Sequence, residues 1–246
     1  RTPYWSDYQT NEQYFGLLSF DPGWENSVYY VDGDISEWSD AALVCQNGDM
    51  SVSMQYDEKF LYFLIHKDNL KFEEETLYLP IDTTPKTGSS YCRNFGLKFD
   101  RGADFIVVLN GPDNSRVMVQ ERYESLRSTY SQEIDGFDTY LANNIPDADS
   151  PDFVTINMAL EIYNIPEEAQ AEWNLDFGEA TFETGRLKYG NANPQSAQFD
   201  SLADFTANGD YIELRLPWQL LNFADPSKMS IHDDYFSGNY GVEYLT

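Results

Sequence analysis

Two groups of residues in this chain have side chains suited to chemistry. The first is aromatic. The chain carries five tryptophans, and Tyr91 stands in the stretch Ser89-Ser90-Tyr91-Cys92-Arg93-Asn94. A pyranose ring has apolar C–H faces that stack on flat rings, and hydroxyls that pair with amides, carboxylates and guanidinium groups. Tyr91 beside Arg93 and Asn94 offers both kinds of contact in one short stretch. The second group is acidic. Asp32, Asp34, Asp57, Asp68, Asp82 and Asp104 all fall at the ends of strand-like runs, where carboxylates and backbone carbonyls supply the hard oxygens that calcium prefers. A structural calcium that ties loops together is the cofactor expected from them. The spacing DxDxDG of an EF-hand is absent.

Other chemistries find less support. Asp and Glu total 42 residues, so any fold brings carboxylates together, and no glycosidase acid/base pair can be chosen from sequence. There is no GxSxG elbow, and the two histidines, His66 and His232, select no triad. Haem is not expected, because CxxCH is absent and methionines such as Met50 and Met54 inside strands ordinarily fill a core. The chain is read as non-catalytic.

These residues need elements to hold them. The organising stretch is Met50 to Asn69, MSVSMQYDEKFLYFLIHKDN. Met50, Val52, Met54 and Tyr56 alternate with Ser51, Ser53 and Gln55, a period of two that gives a strand one apolar and one wet face. Phe60 to Ile65 reads FLYFLI without a polar break, which predicts a strand inside a sheet and covered on both faces. Tyr56-Asp57-Glu58-Lys59 supplies the turn between them. Further strands are predicted at Leu77 to Ile81, Gly102 to Leu109, Val117 to Gln120, Phe153 to Ile162, Phe182 to Lys188, Tyr211 to Leu216 and Gly241 to Thr246, with a turn at Asn208-Gly209-Asp210. Pro166 to Trp173 reads as a short helix with proline in its first turn. Gln120 to Thr139 fits either a helix or an irregular excursion. Short strands separated by turn residues predict an all-β fold, an antiparallel two-sheet sandwich with short helical turns and long loops.

Length and charge narrow the partners. At 246 residues one large all-β domain, residues 28–246, is expected. Residues 1–27, with Tyr4, Trp5, Tyr8, Tyr14, Phe15, Phe20 and Trp24, form an aromatic extension packed on it. The net charge is -27, with only 15 lysines and arginines and no basic cluster, which excludes a phosphate backbone as partner. No run approaches the roughly 20 apolar residues that span a bilayer. Arg1 opens a polar aromatic segment that is no signal peptide, so an excised or processed soluble piece is expected. Cys45 and Cys92 could pair in an oxidising compartment, and two thiols alone leave that open.

The order of these pieces resembles a known pattern. Val31-Asp32-Gly33-Asp34-Ile35-Ser36-Glu37-Trp38 contains DGxxxxW; Tyr56-Asp57-Glu58-Lys59-Phe60-Leu61-Tyr62-Phe63 is YDxxxLYF; Leu77 to Asp82 leads into a Pro/Gly loop; and Tyr211 to Leu221 closes an alternating strand on Pro217-Trp218. Together they are similar to family 9 carbohydrate-binding modules and their DOMON-like β-sandwich relatives. The resemblance implies a jelly-roll-like sandwich, structural calcium, and a sugar held between tryptophans. It places Trp38 and Trp218 in the core, leaving Trp5, Trp24 and Trp173, with Tyr91, Arg93 and Asn94, as the ligand-binding candidates. The implied function is a non-catalytic module that binds a polysaccharide or oligosaccharide within a larger multidomain protein, extracellular or on the cell surface. The competing expectation is a structural or docking domain without its own ligand; a glycoside-active enzyme ranks third.

Overall fold

The computed structural model describes residues 29–84, 86–124, 145–159, 181–232 and 242–244. In chain order the strands are β1 (Ala42–Asn47), β2 (Met50–Tyr56), β3 (Phe60–Lys67), β4 (Leu77–Ile81), β5 (Ser89–Cys92), β6 (Leu97–Ala103), β7 (Phe105–Leu109) and β8 (Arg116–Gln120). They continue as β9 (Phe153–Thr155), β10 (Asn157–Ala159), β11 (Thr181–Glu183), β12 (Phe205–Asn208), β13 (Tyr211–Pro217), β14 (Phe223–Asp225), β15 (Ser230–His232) and β16 (Val242–Tyr244). Among the described residues, β1–β2, β2–β3, β4–β7, β5–β6, β7–β8, β8–β9, β10–β11, β12–β13, β14–β15 and β15–β16 all pair antiparallel. The fold is all-β and sandwich-like, with short 3-10 turns, as the alternation predicted. No helix among the described residues is long and apolar enough to cross a membrane.

The chain forms two compact units, the first from residues 1–70 and 189–216, the second from 71–188 and 217–246. In the first unit a five-stranded sheet runs β1-β2-β3-β13-β12. The predicted hairpin is present: Met50 pairs with Lys67 and Tyr56 with Leu61. Its turn is closed by Asp57, whose Oδ1 accepts the backbone N–H groups of Lys59 and Phe60 at 2.7 and 2.8 Å. Asp57 is thus an Asx turn residue. The turn between β12 and β13 needs a left-handed residue, and Gly209 provides it at φ 59°.

Side-chain alternation sets the two faces of this sheet. Val52, Leu61, Phe63, Ile65, Phe205, Ile212, Leu214 and Leu216 share the apolar face and are buried. Ser51, Ser53, Gln55, Phe60, Tyr62, Leu64, His66, Tyr211, Glu213 and Arg215 share the other. Here the expectation for Phe60 to Ile65 needs correction. Phe60 and Leu64 are only half-buried, so β3 is covered fully on one face and partly on the second. An uninterrupted apolar run marks a central strand, and it does not report how much of its second face is lidded.

In the second unit a sheet of order β4-β7-β8-β9 stands with the hairpins β5-β6 and β10-β11 and the sheet β14-β15-β16. Phe105 to Leu109 is buried at every position, which fits its continuous apolar sequence. Cys92, Ala103, Ile106, Val108, Met118 and Phe153 form its core cluster, with Tyr78, Phe95, Leu97 and Phe99 against it. Complete burial of a side chain such as Ile106 or Phe153 stabilises by about 1.5–3 kcal/mol. The 3-10 turn Trp218–Leu221 follows β13 as expected, and Trp218 is buried edge-on to Phe223 at 4.9 Å.

Candidate functional site

Two constellations on the first unit combine reactive or ligand-type groups. The first is a carboxylate cluster. Asp32 sits in the turn Asp32-Gly33, Glu37 lies on the 3-10 turn Ser36–Asp40, and Glu213 is on β13. One oxygen from each lies within 4.8 Å of the others, the sole such group found among the described residues. Glu213 is 1% exposed. Its Oε2 accepts the N–H groups of Asp32 and Gly33 at 3.1 and 2.6 Å, and its Oε1 accepts the Trp38 indole N–H at 2.9 Å. The turn can point two successive N–H groups at one oxygen because Gly33 adopts φ 90°, which glycine alone adopts without strain. Asp32 in turn accepts from Asp34 N–H at 2.8 Å and from Asn193 Nδ2 at 2.6 Å.

The electrostatics follow from burial. Desolvation pushes the Glu213 carboxyl up from 4.5 to about 7; the Trp38, Gly33 and Asp32 N–H groups pull it back, and the Glu37 charge adds to the rise. Burial also raises Glu37, with Asp32 and Asp34 contributing. A carboxyl that holds its proton near neutrality beside an ionised neighbour is the pairing an acid/base catalyst uses. Glu213 is sealed from solvent with both oxygens engaged, so it offers no proton to a bound sugar. Calcium takes 6–8 oxygens, and three carboxylates already occupied by N–H donors supply fewer. The group is read as a hydrogen-bonded joint.

The second constellation is the wet face of the sheet. Ser51, Ser53 and Gln55 from β2, Leu64 and His66 from β3, and Tyr211 from β13 are all half-exposed. The His66 and Tyr211 rings lie 4.7 Å apart with a 36° tilt. Farther along the face the Arg215 guanidinium sits 4.7 Å over the Phe60 ring while donating to the Ala203 and Ser201 carbonyls. The strip from Ser51 to Tyr211 carries hydroxyls, an amide and rings.

The residues expected from sequence are scattered. Trp5, Trp24 and Trp173 lie outside the described residues. Tyr91, in the segment Ser89–Asn94 that the sequence suggests as a loop, is on β5, paired with Lys98 of β6 and 38% exposed. Its two neighbours are engaged: Arg93 pairs with Asp152 at 2.9 Å, and Asn94 Oδ1 accepts the Phe153 N–H at 3.0 Å. Of the six aspartates, only Asp32 joins a carboxylate cluster. Asp34 caps Ser36 N–H, Asp57 closes the hairpin, and Asp68 faces His66 at 3.5 Å. Asp104 is buried in the second unit, where it accepts from Thr83 N–H, Thr84 N–H and the Thr84 and Thr87 hydroxyls. Asp82, held up mainly by burial and then by the Asp104 charge, lies nearby. Both cysteines are free thiols, Cys45 exposed and Cys92 buried.

No family model, no curated protein and no solved structure matches this chain. The functional reading therefore stands on the residues themselves. Glu37, Glu213, His66 and Tyr211 were not singled out from sequence as site residues. One signal for Glu213 was available: a lone acid between Ile212 and Leu214 in a strand whose apolar neighbours demand burial.

Proposed function

We propose that this chain is a non-catalytic carbohydrate-binding module, and that the wet face of the five-stranded sheet receives a neutral glycan. One observation carries the reading. On a chain of net charge -27, the strip Ser51, Ser53, Gln55, Leu64, His66 and Tyr211 is built from hydroxyl, amide, aliphatic and ring side chains, with the Asp68 carboxylate at its edge, 3.5 Å from His66. Its ring pair and neutral hydroxyl and amide groups suit the apolar faces and hydroxyls of an uncharged sugar. An anionic polysaccharide would meet the repulsion of the surrounding surface. In this reading the chain serves a larger polysaccharide-handling protein outside the cell.

Affinity electrophoresis through gels containing neutral glucans, xylans or mannans, with an anionic polysaccharide as control, tests it. The expected result is retardation by at least one neutral polymer and none by the anionic one. Unchanged mobility in every neutral gel would overturn the proposal.

A further inference from the structure

We infer that the glycan lies across the strands, along one row of five side chains, and that the site therefore takes an internal stretch of an extended neutral polysaccharide rather than a single terminal sugar. This rests on the sugar-binding reading of the same face and adds two residues to it, Gln46 and Asn208. The strand registers build the row. Gln46 of β1 stands opposite Ser51 of β2, and Ser51 opposite His66 of β3. The His66 ring meets that of Tyr211 on β13, and Tyr211 stands opposite Asn208 of β12. Residues directly opposite one another project from the same face, so the five line up over the full width of the sheet β1-β2-β3-β13-β12. Four strand spacings make that width roughly 19 Å.

Among the described residues of this face, this is the row that stays open from edge to edge. Gln46 and Asn208 are exposed, and Ser51, His66 and Tyr211 are half-exposed. Two residues along β13 and β12, the opposed pair Glu213 and Thr206 is buried, and Asp32 and Gly33 of the strap, residues 29–40, donate to the Glu213 carboxyl. A polymer crossing at that level would meet the strap. Asn208 Nδ2 donates to the Gly33 carbonyl at 2.9 Å, which fixes the amide and leaves its Oδ1 as an acceptor. Gln46 and Asn208 stand on the two edge strands, so the row runs out over both sides of the sheet. No chain end is needed to fill it.

The chemistry of the row selects the ligand. Amide, hydroxyl, neutral imidazole and phenol each donate and accept hydrogen bonds. A sugar hydroxyl does the same, so the row can serve one hydroxyl after another without prescribing which partner donates. The His66 and Tyr211 rings, 4.7 Å apart, supply the stacking surface inside it. The turns that border the row carry Asp49, Asp68 and Asp210, with Asp68 3.5 Å from His66. These carboxylates repel uronic acids and sulfate esters, so the fitting chain is uncharged.

Calorimetric titration of the whole chain with gluco-, xylo- and manno-oligosaccharides, graded from a monosaccharide to chains longer than the row, tests the crossing. In at least one series, affinity is expected to climb about tenfold or more between the disaccharide, held by the rings, and the longest chain, which reaches the amides at both edges. Gln46→Ala changes an exposed side chain on an edge strand. It should bind the disaccharide as the wild type does and the longest chain about threefold or more weakly. Asn47→Ala, on the other face of the same strand and opposite Met50, should change neither. Affinity that stays level with length, or Gln46→Ala binding the longest chain as the wild type does, would overturn the crossing while leaving the strip a sugar site. So would an equal loss in Asn47→Ala, because the strand and not the row would then be read. Binding of no oligosaccharide in any series would remove the strip itself as a sugar site, and the crossing with it.

Discussion

The Trp38 indole N–H donates to Glu213 Oε1 at 2.9 Å across 175 positions of sequence. This bond joins the 3-10 turn to the middle of a β-sheet, and it is buried at both ends. Replacing Trp38 with Phe keeps a ring against Tyr29 and removes the donor. Removing one partner of a buried hydrogen bond costs about 1–3 kcal/mol. Urea unfolding of Trp38→Phe should show a loss of that order, and an unchanged midpoint would mean the bond is not formed in solution.

Asp104 organises the second unit in the same manner. It is 0% exposed and accepts from the backbone N–H groups of Thr83 and Thr84 and from the hydroxyls of Thr83, Thr84 and Thr87. Asp104→Ala leaves the buried Thr83 and Thr84 N–H groups without this acceptor, at about 1–3 kcal/mol for each group that water cannot reach, whereas the Thr84 and Thr87 hydroxyls still have each other and Tyr123 as partners. Asp104→Asn keeps one oxygen and should cost less. Equal unfolding midpoints for the two variants would contradict this account.

What the sequence made legible follows from periodicity. The β2–β3 hairpin, the buried strand Phe105–Leu109 and the strand ending on Pro217-Trp218 were visible because period-two alternation, or a short apolar run of β-branched and aromatic residues bounded by turn residues, favours a strand. The hairpin β5–β6 was not. Ser89-Ser90-Tyr91-Cys92 alternates only weakly, and the Ser and Arg around it read as a loop. Strand β1 was missed for a related reason: Ala42–Asn47 is exposed throughout, so no burial pattern was imprinted on it. The carboxylate joint was hidden by the same alternation that revealed β13. Tyr211, Glu213 and Arg215 read as a solvent face, and only the strap folding back over it turns the central acid into a buried one.

The whole chain's stability should carry the mark of that acid. The folded value of Glu213, about 7, lies above the ordinary 4.5. Its contribution is fully present below pH 4.5 and is lost as pH rises through 7, with a ceiling on the order of 3 kcal/mol. The difference in unfolding free energy between wild type and Glu213→Gln, measured from pH 5 to pH 9, isolates this group from all other titrations. Wild type should lose ground to the variant as pH rises. A flat difference would show that Glu213 is ionised in the folded chain throughout that range.

The two thiols should react very differently. Cys45 is exposed on β1, whereas Cys92 is 0% exposed and burial pushes its thiol up. Only the thiolate reacts, and only where reagent can reach it. Ellman's reagent should titrate one thiol per native chain at pH 8 and two in guanidinium. Two fast-reacting thiols in the native protein would mean that the core around Phe153 and Ile106 opens readily.

The glycan proposal makes its sharpest demand on Tyr211. Its ring lies 4.7 Å from His66 on the half-exposed face, so trimming it removes a stacking surface without opening the apolar side of the sheet, which Ile212 and Leu214 fill. Stacking of one aromatic ring contributes about 0.5–1.5 kcal/mol beyond its buried area. Tyr211→Ala should therefore weaken retention by a neutral polysaccharide about tenfold or more, and His66→Ala should weaken it less. Ser53→Arg, which places a bulky cation in the same strip, should also reduce retention. Tyr91→Ala, on the second unit, serves as the control and should leave it intact. Retention that survives at Tyr211 and vanishes at Tyr91 would keep the glycan and move its platform to β5.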